Sequence, residues 1–286
     1  MQRDDVSPPP GGEGGAERGV RARVGYDVDG AEPRPPTAPR HGGGETRAAL
    51  AAAGTLARPA HVEHPSAARR AWLTAEMLLL FVGAPLVMMH AVHGLRVPVW
   101  AALFPVLAGL ILYLLWDRTF SLRQELTRAV TLATLGSIAA LLLVGGGAVA
   151  AYVAQEMPDK FLSLPRERPG VWRKVLTNYP FLSVLAQEFI YRTLFFHRYG
   201  PLFGRWRWGL ILASGLLFGF GHVIFKNWVA VGLTAAGGVW LAWRYAATRS
   251  FWAVWIEHTL WGWLVFTVGL GGFFFTGIAT GWRFSL

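Results

Sequence analysis

No cysteine occurs anywhere in the 286 residues. Disulfides, thiolate nucleophiles and Cys-ligated metals are thereby excluded, and any chemistry must come from His, Glu, Arg and hydroxyl groups. Acidic residues are also scarce, 17 against 27 Lys and Arg, for a formal net charge of +10. Residues 1–70 have few bulky apolar side chains: "SPPPGGEGGAERG" and "AEPRPPTAPRHGGGE" are typical, with 10 Arg against 9 Asp and Glu over the stretch. Such a composition has little to offset the entropy of ordering and reads as a disordered tail. No apolar core follows its first charges, so it does not read as a signal peptide. Because this tail is nearly neutral, almost all of the positive excess falls on 71–286. No basic stripe marks a nucleic-acid-binding module there, and the excess suits lipid headgroups instead.

What remains is strongly apolar. Hydrophobic residues make up 53% of the chain, and the mean hydropathy is +0.36, above that of ordinary soluble domains. Runs of about 20 apolar residues, the length that crosses a bilayer, occur at 72–91, 98–116, 129–154, roughly 172–197, 206–224, 228–247 and 251–270. The Gly/Phe-rich "GLGGFFFTGIATGW" is a possible partial eighth. Strand alternation is absent, and lipid admits only helices or closed barrels. The expected fold is all-α, a polytopic transmembrane bundle of about seven to eight spans. Residues 1–70 form the tail, 71–286 the membrane domain, and the functional core is expected near 170–270. Arg and Lys counts between spans favour a cytoplasmic N-terminus, with one awkward basic loop from Lys160 to Lys174. The expected location is a bacterial inner or plasma membrane.

Ionisable groups inside these runs cost at least about 2.5–3.5 kcal/mol each at a helix centre and usually face a bundle interior or a wet cavity. "AQEFIYR" carries Gln187, Glu188 and Arg192, the last two on one helical face. "FGFGHVIF" carries His222, and "FWAVWIEHTLWGW" carries Glu257 and His258. A Glu–Arg pair at this spacing also serves as a structural clasp. A lone His beside a span is commonly interfacial, as expected for His90, His93 and His197, and Arg244 and Arg249 are expected to anchor at headgroups. One Glu and two His on three helices nevertheless supply the parts of a shared site for water activation or metal binding.

The series Gln/Glu-Glu-x-x-x-Arg, Phe-x-x-x-His and a later His resembles the CAAX-protease and bacteriocin-processing family of intramembrane proteases. That family includes the type II prenyl-protein endopeptidases and Abi-like proteins. The resemblance implies peptide hydrolysis by Glu/His-activated water in a membrane-embedded cavity, without a cofactor. It matches His222 and His258 to the family's two histidines, Arg192 to its arginine and Glu188 to the second acid of its Glu pair. Glu188, His222 and His258 are then the expected catalytic residues, with Gln187, Arg192 and the additional carboxylate Glu257 in support. Zinc held by Glu188, His222 and His258 is a lower-ranked alternative. Two positions depart from the family pattern. Gln187 stands where a catalytic Glu is expected, and Gly262 where an oxyanion-binding Asn is expected. Glutamine is no base, though it can position water. The expected partners are the lipid bilayer and a membrane-anchored or lipidated protein or peptide substrate. Other readings stay open: a catalytically degenerate binding or chaperone-like protein, bis-His haem ligation by His222 and His258, and a transporter, although no inverted repeat is evident. One geometric demand is explicit. His222 lies deeper along its run than Glu188 or His258, so tilt, or a break at Gly215, Gly219 or Gly221, must bring it back to them.

Overall fold

The structure, a computed structural model, describes residues 65–274. The tail through residue 64 and the end of the Gly/Phe-rich segment lie outside the described residues. Among the described residues every regular element is helical. Helix α1 spans Ala67–Gly94, α2 Val99–Trp116, α3 Leu122–Thr127, α4 Leu132–Glu156 and α5 Ser163–Glu167. Helix α6 runs continuously over 169–203, and α7, Arg207–Gly221, passes into a 3₁₀ turn at His222–Phe225. Helix α8 spans Trp228–Thr248, and α9, Phe251–Val268, ends in a 3₁₀ turn at Leu270–Phe274. The all-α class is the expected one, and each of the seven apolar runs falls on one helix. Three of these helices, Ala67–Gly94, Leu132–Glu156 and Arg207–Phe225, are long and apolar enough to cross a membrane, and Leu103–Trp116 is apolar but shorter. In α6, α8 and α9 buried polar groups interrupt the apolar pattern. The basic segment 160–174 is largely helical, with Arg166, Arg168, Arg173 and Lys174 exposed.

Local chemistry starts the helices where the sequence changes character. Ser66, Thr131 and Ser250 each accept a backbone N–H of the first turn, and Asn227 accepts two. Outward faces are apolar: Leu132 on α4 is 86% exposed, and Leu143 and Val144 are each 77% exposed, a surface suited to lipid rather than water. Helix α6 contains π-helical turns at Pro180–Val184 and Phe189–Leu194. Pro180 has no N–H to continue the ladder, and such wide turns shift the side-chain register of the residues that follow.

Buried and half-buried polar links orient α6. Arg198 donates to both carboxylate oxygens of Glu76 on α1 at 2.8 and 2.9 Å, and Tyr199 donates to the same group at 3.0 Å. His197 pairs with Asp117 at 3.0 Å. Partial burial pushes the Asp117 carboxyl up, but hydrogen bonds from the side chain and backbone of Thr119 and from His197 outweigh it and hold the group at about 2. Asp117 therefore stays an acceptor throughout the physiological range. Glu125 on α3 accepts from Thr193 at 3.0 Å and Tyr245 at 2.5 Å. Arg244 corrects the expectation of a headgroup anchor. It is 6% exposed and donates to Glu257 at 2.7 and 3.1 Å and to Ser137 at 2.7 Å, because a guanidinium on the inner face of α8 finds a carboxylate on α9 before it finds water.

Helices α7 and α8 make the closest pair. A Cβ on Gly215 would lie 2.4 Å from the Val239 backbone nitrogen, and one on Gly219 would lie 2.5 Å from the Ala235 Cβ. Between lipid-solvated helices the hydrophobic effect adds little, so small residues that permit backbone contact provide the association. These glycines do not break α7, contrary to one of the expected routes for bringing His222 to the site; they let α8 approach it. Gly215→Val is therefore expected to destabilise the protein by about 1–3 kcal/mol through overpacking, read as a lowered Tm in detergent. An unchanged Tm would contradict this close approach.

Candidate active site

The residues singled out in the sequence divide into two groups about one wall. Glu188 is 0% exposed and Arg192 is 0% exposed; both lie behind a cavity of about 600 Å³ whose lining includes Tyr179, Ser183, Gln187, Phe218, His222 and His258. No Asp or Glu lines this cavity among the described residues.

Glu188 is the hub of the inner group. Its Oε1 lies 2.7 Å from His258 Nδ1, and its Oε2 lies 3.2 Å from Arg192 Nε. The second contact is ionic without hydrogen-bond alignment, since neither Oε2 nor Nε has a hydrogen-bond partner. Arg192 is held instead by Nη1, which donates to Ser214 Oγ at 3.2 Å and to the Tyr191 carbonyl at 3.4 Å. Its guanidinium also stacks 5.0 Å over the Phe218 ring. A carboxylate beside a guanidinium accepts hydrogen bonds, so His258 Nδ1–H donates to Glu188. His258 Nε2 is then left to accept from the Tyr179 hydroxyl, 3.1 Å away. Glu188, His258 and Tyr179 thus form a line from the protein interior to the cavity.

His222 reaches the cavity because α7 ends there. Its Nδ1 lies 2.8 Å from the Phe218 carbonyl, which can only accept, so Nδ1 carries the proton and Nε2 keeps its lone pair. The Phe218 ring stands between the imidazoles, with centroids 4.7 Å from His222 and 5.5 Å from His258. Of the two imidazoles expected in a shared site, the one that Glu188 meets directly is therefore His258. The register of α6 turns Glu188 toward α9, while Phe218 already engages His222.

Gln187 lines the cavity. Its Nε2 donates to Ser183 Oγ at 2.8 Å, and its Oε1 is buried without a hydrogen-bond partner. Glu257 stands apart from this surface, with Arg244 on both carboxylate oxygens and Trp240 Nε1 at 2.8 Å. It clasps α8 to α9. Tyr179 and Ser183 were not anticipated. With Gln187 they occupy 179, 183 and 187, a polar stripe at four-residue spacing that could have marked one helical face.

A zinc ligand set would need converging free lone pairs. Both Glu188 oxygens contact protein groups and both His258 nitrogens are hydrogen bonded. No group of three or more His, Cys, Asp or Glu is placed to hold a metal among the described residues. As arranged, with Glu188 fully buried and its Oε1 on His258 Nδ1, the donor set does not converge on a metal.

Residues 171–264 match the family model for type II CAAX prenyl endopeptidase, Rce1-like. Over this segment the chain is similar to the CAAX-protease family. It contains Tyr179, Gln187, Glu188, Arg192, His222, His258 and Gly262, so every group of the cavity's polar wall described above falls inside the match. Among curated proteins and among solved structures no significant match is found. This similarity and the three helices long and apolar enough to cross a membrane make the chain an integral membrane protein.

Removing Arg192 leaves a buried carboxylate with a single imidazole partner. Arg192→Ala is expected to cost about 3–5 kcal/mol, seen as a large fall in Tm in detergent. A loss below about 1 kcal/mol, the range of exposed pairs, would mean that water reaches Glu188.

Proposed function

We propose that the protein is an intramembrane endopeptidase that hydrolyses a peptide bond in a membrane-anchored, prenylated protein or peptide. The observation that carries this reading is the convergence of His222, His258 and Gln187 from three helices on one largely apolar cavity. The family match supports the substrate class, since the matched family is that of prenyl endopeptidases. A cytoplasmic N-terminus, as the basic residues between spans favour, is part of the same proposal.

With no carboxylate among the described residues of the cavity wall, the base is an imidazole. His222 Nε2 takes a proton from water while the water oxygen attacks the scissile carbonyl. Gln187 flanks this water from α6, where its Nε2 holds the Ser183 hydroxyl on the cavity wall. The tetrahedral intermediate collapses by breaking the C–N bond, and His222 returns its proton to the leaving amine. Glu188 acts as a positioning residue. It holds His258 in one tautomer and supplies negative charge behind that ring, as a buried carboxylate does behind an imidazole in hydrolytic triads. This role differs from direct water activation by Glu188 and follows from its lack of access to the cavity. No metal enters these steps.

The same missing carboxylate favours a second reading, in which the scaffold binds lipidated peptides without cutting them. A farnesylated CAAX-terminated peptide incubated with the purified protein in detergent separates the two. Release of the C-terminal tripeptide by wild type, with a loss of about 10²–10⁴-fold in His222→Ala, is expected for the peptidase. Binding without release, or release undiminished in His222→Ala, would overturn the proposed mechanism.

A further inference from the structure

Hydrolysis puts negative charge on the scissile carbonyl oxygen, and a donor must meet it there. Several polar groups of the cavity wall are already committed. Gln187 Nε2 donates to Ser183, Thr234 donates to backbone carbonyls, and Trp240 Nε1 donates to Glu257. His222 Nδ1–H donates to Phe218. Tyr179 and Ser183 also line this wall, and the Tyr179 hydroxyl is the one that meets the Glu188–His258 pair, with a neutral nitrogen as its partner. An O–H turns about its own C–O bond, so it can leave a neutral nitrogen for a stronger, charged acceptor.

The fold also reserves space for this ring. A Cβ built on Gly262 would lie 2.1 Å from Tyr179 Cε1, 2.5 Å from Cζ and 2.7 Å from the hydroxyl oxygen. Any side chain at 262 and the Tyr179 ring exclude each other. Phe266 packs edge-on against the ring, with centroids 5.4 Å apart. Trp255 Nε1 donates at 3.0 Å to the carbonyl of the next residue, Pro180. Ring and hydroxyl are therefore held in place before substrate arrives, which is the condition for effective charge stabilisation.

We propose that Tyr179 is the oxyanion donor of this site, seated in the volume that Gly262 leaves open and aimed by the Glu188–His258 pair. Tyr179 then replaces the Asn that the family resemblance places at 262, and the two departures from the family pattern become one compensated change. The assignment rests on the peptidase reading and adds a catalytic residue to it.

Three variants test it, Tyr179→Phe, Tyr179→Ala and Tyr179→Ala with Gly262→Asn. The readouts are kcat and KM on a farnesylated CAAX peptide, and binding of its phosphonamidate analogue, whose tetrahedral oxygens mimic the oxyanion. Tyr179→Phe, which keeps the ring and its packing, is expected to lower kcat by about 10²–10³-fold with KM nearly unchanged. It should weaken phosphonamidate binding by a similar factor while sparing the unreactive peptide. The double variant should recover at least tenfold over Tyr179→Ala alone. Wild-type cleavage with Tyr179→Phe within threefold of it overturns the assignment alone. A double variant no better than Tyr179→Ala also overturns it. A wild type that cleaves nothing and shows no preference for the phosphonamidate overturns the peptidase reading and this assignment together.

Discussion

The carboxylate of Glu188 is the constraint on which this site depends. A charge with no solvent access is tolerated only when other groups replace the missing water. Here Arg192 supplies opposite charge from the same helix, and His258 supplies a hydrogen bond from α9. The first partner requires Ser214 and Phe218 to hold the guanidinium, which draws α7 into the arrangement. The second fixes the tautomer of His258 and, through it, the hydroxyl of Tyr179. Four residues on two helices and two more on a third are thus committed by one buried charge.

The surroundings obey the same rule. Helices with lipid-facing exteriors gain little from burying more apolar surface against one another, so polar pairs and small residues determine which faces meet. The pairs Glu257–Arg244 and Glu76–Arg198 join helices without lining the cavity themselves. Gly215 and Gly219 let α8 lie against α7. This pairing places Phe218 and His222 at the cavity wall, where α7 gives way to a tighter turn. Helix packing and site geometry are therefore one problem, since loosening the glycine contact would move an imidazole.

Polar groups behind the cavity wall and polar groups on it have different work. Glu188 and Arg192 act on position and charge from inside the protein, whereas Gln187, His222 and Tyr179 face the space where a substrate would lie. A glutamine at 187 is compatible with hydrolysis in this arrangement because His222 retains a free nitrogen for the proton. Gly262 is compatible with it because the residue missing there makes room for a hydroxyl from α6.

The sequence by itself determined the helical class, the positions of the apolar runs and the expensive polar residues within them. Those features are local, since an apolar run of bilayer length or a charge inside it can be recognised without knowing its neighbours. Glu188, Arg192, His222 and His258 stood out for that reason, and the Glu188–Arg192 link needed only helical spacing. The tertiary structure alone decided which imidazole Glu188 meets, that Arg244 finds Glu257 rather than lipid headgroups, and that Tyr179 occupies the space above Gly262. Each of these pairs joins residues brought together by helix packing, at separations as large as 83 positions for Tyr179 and Gly262 (262 − 179). No periodicity within one helix carries the rotation of its neighbour, and that rotation decides which face a buried charge sees.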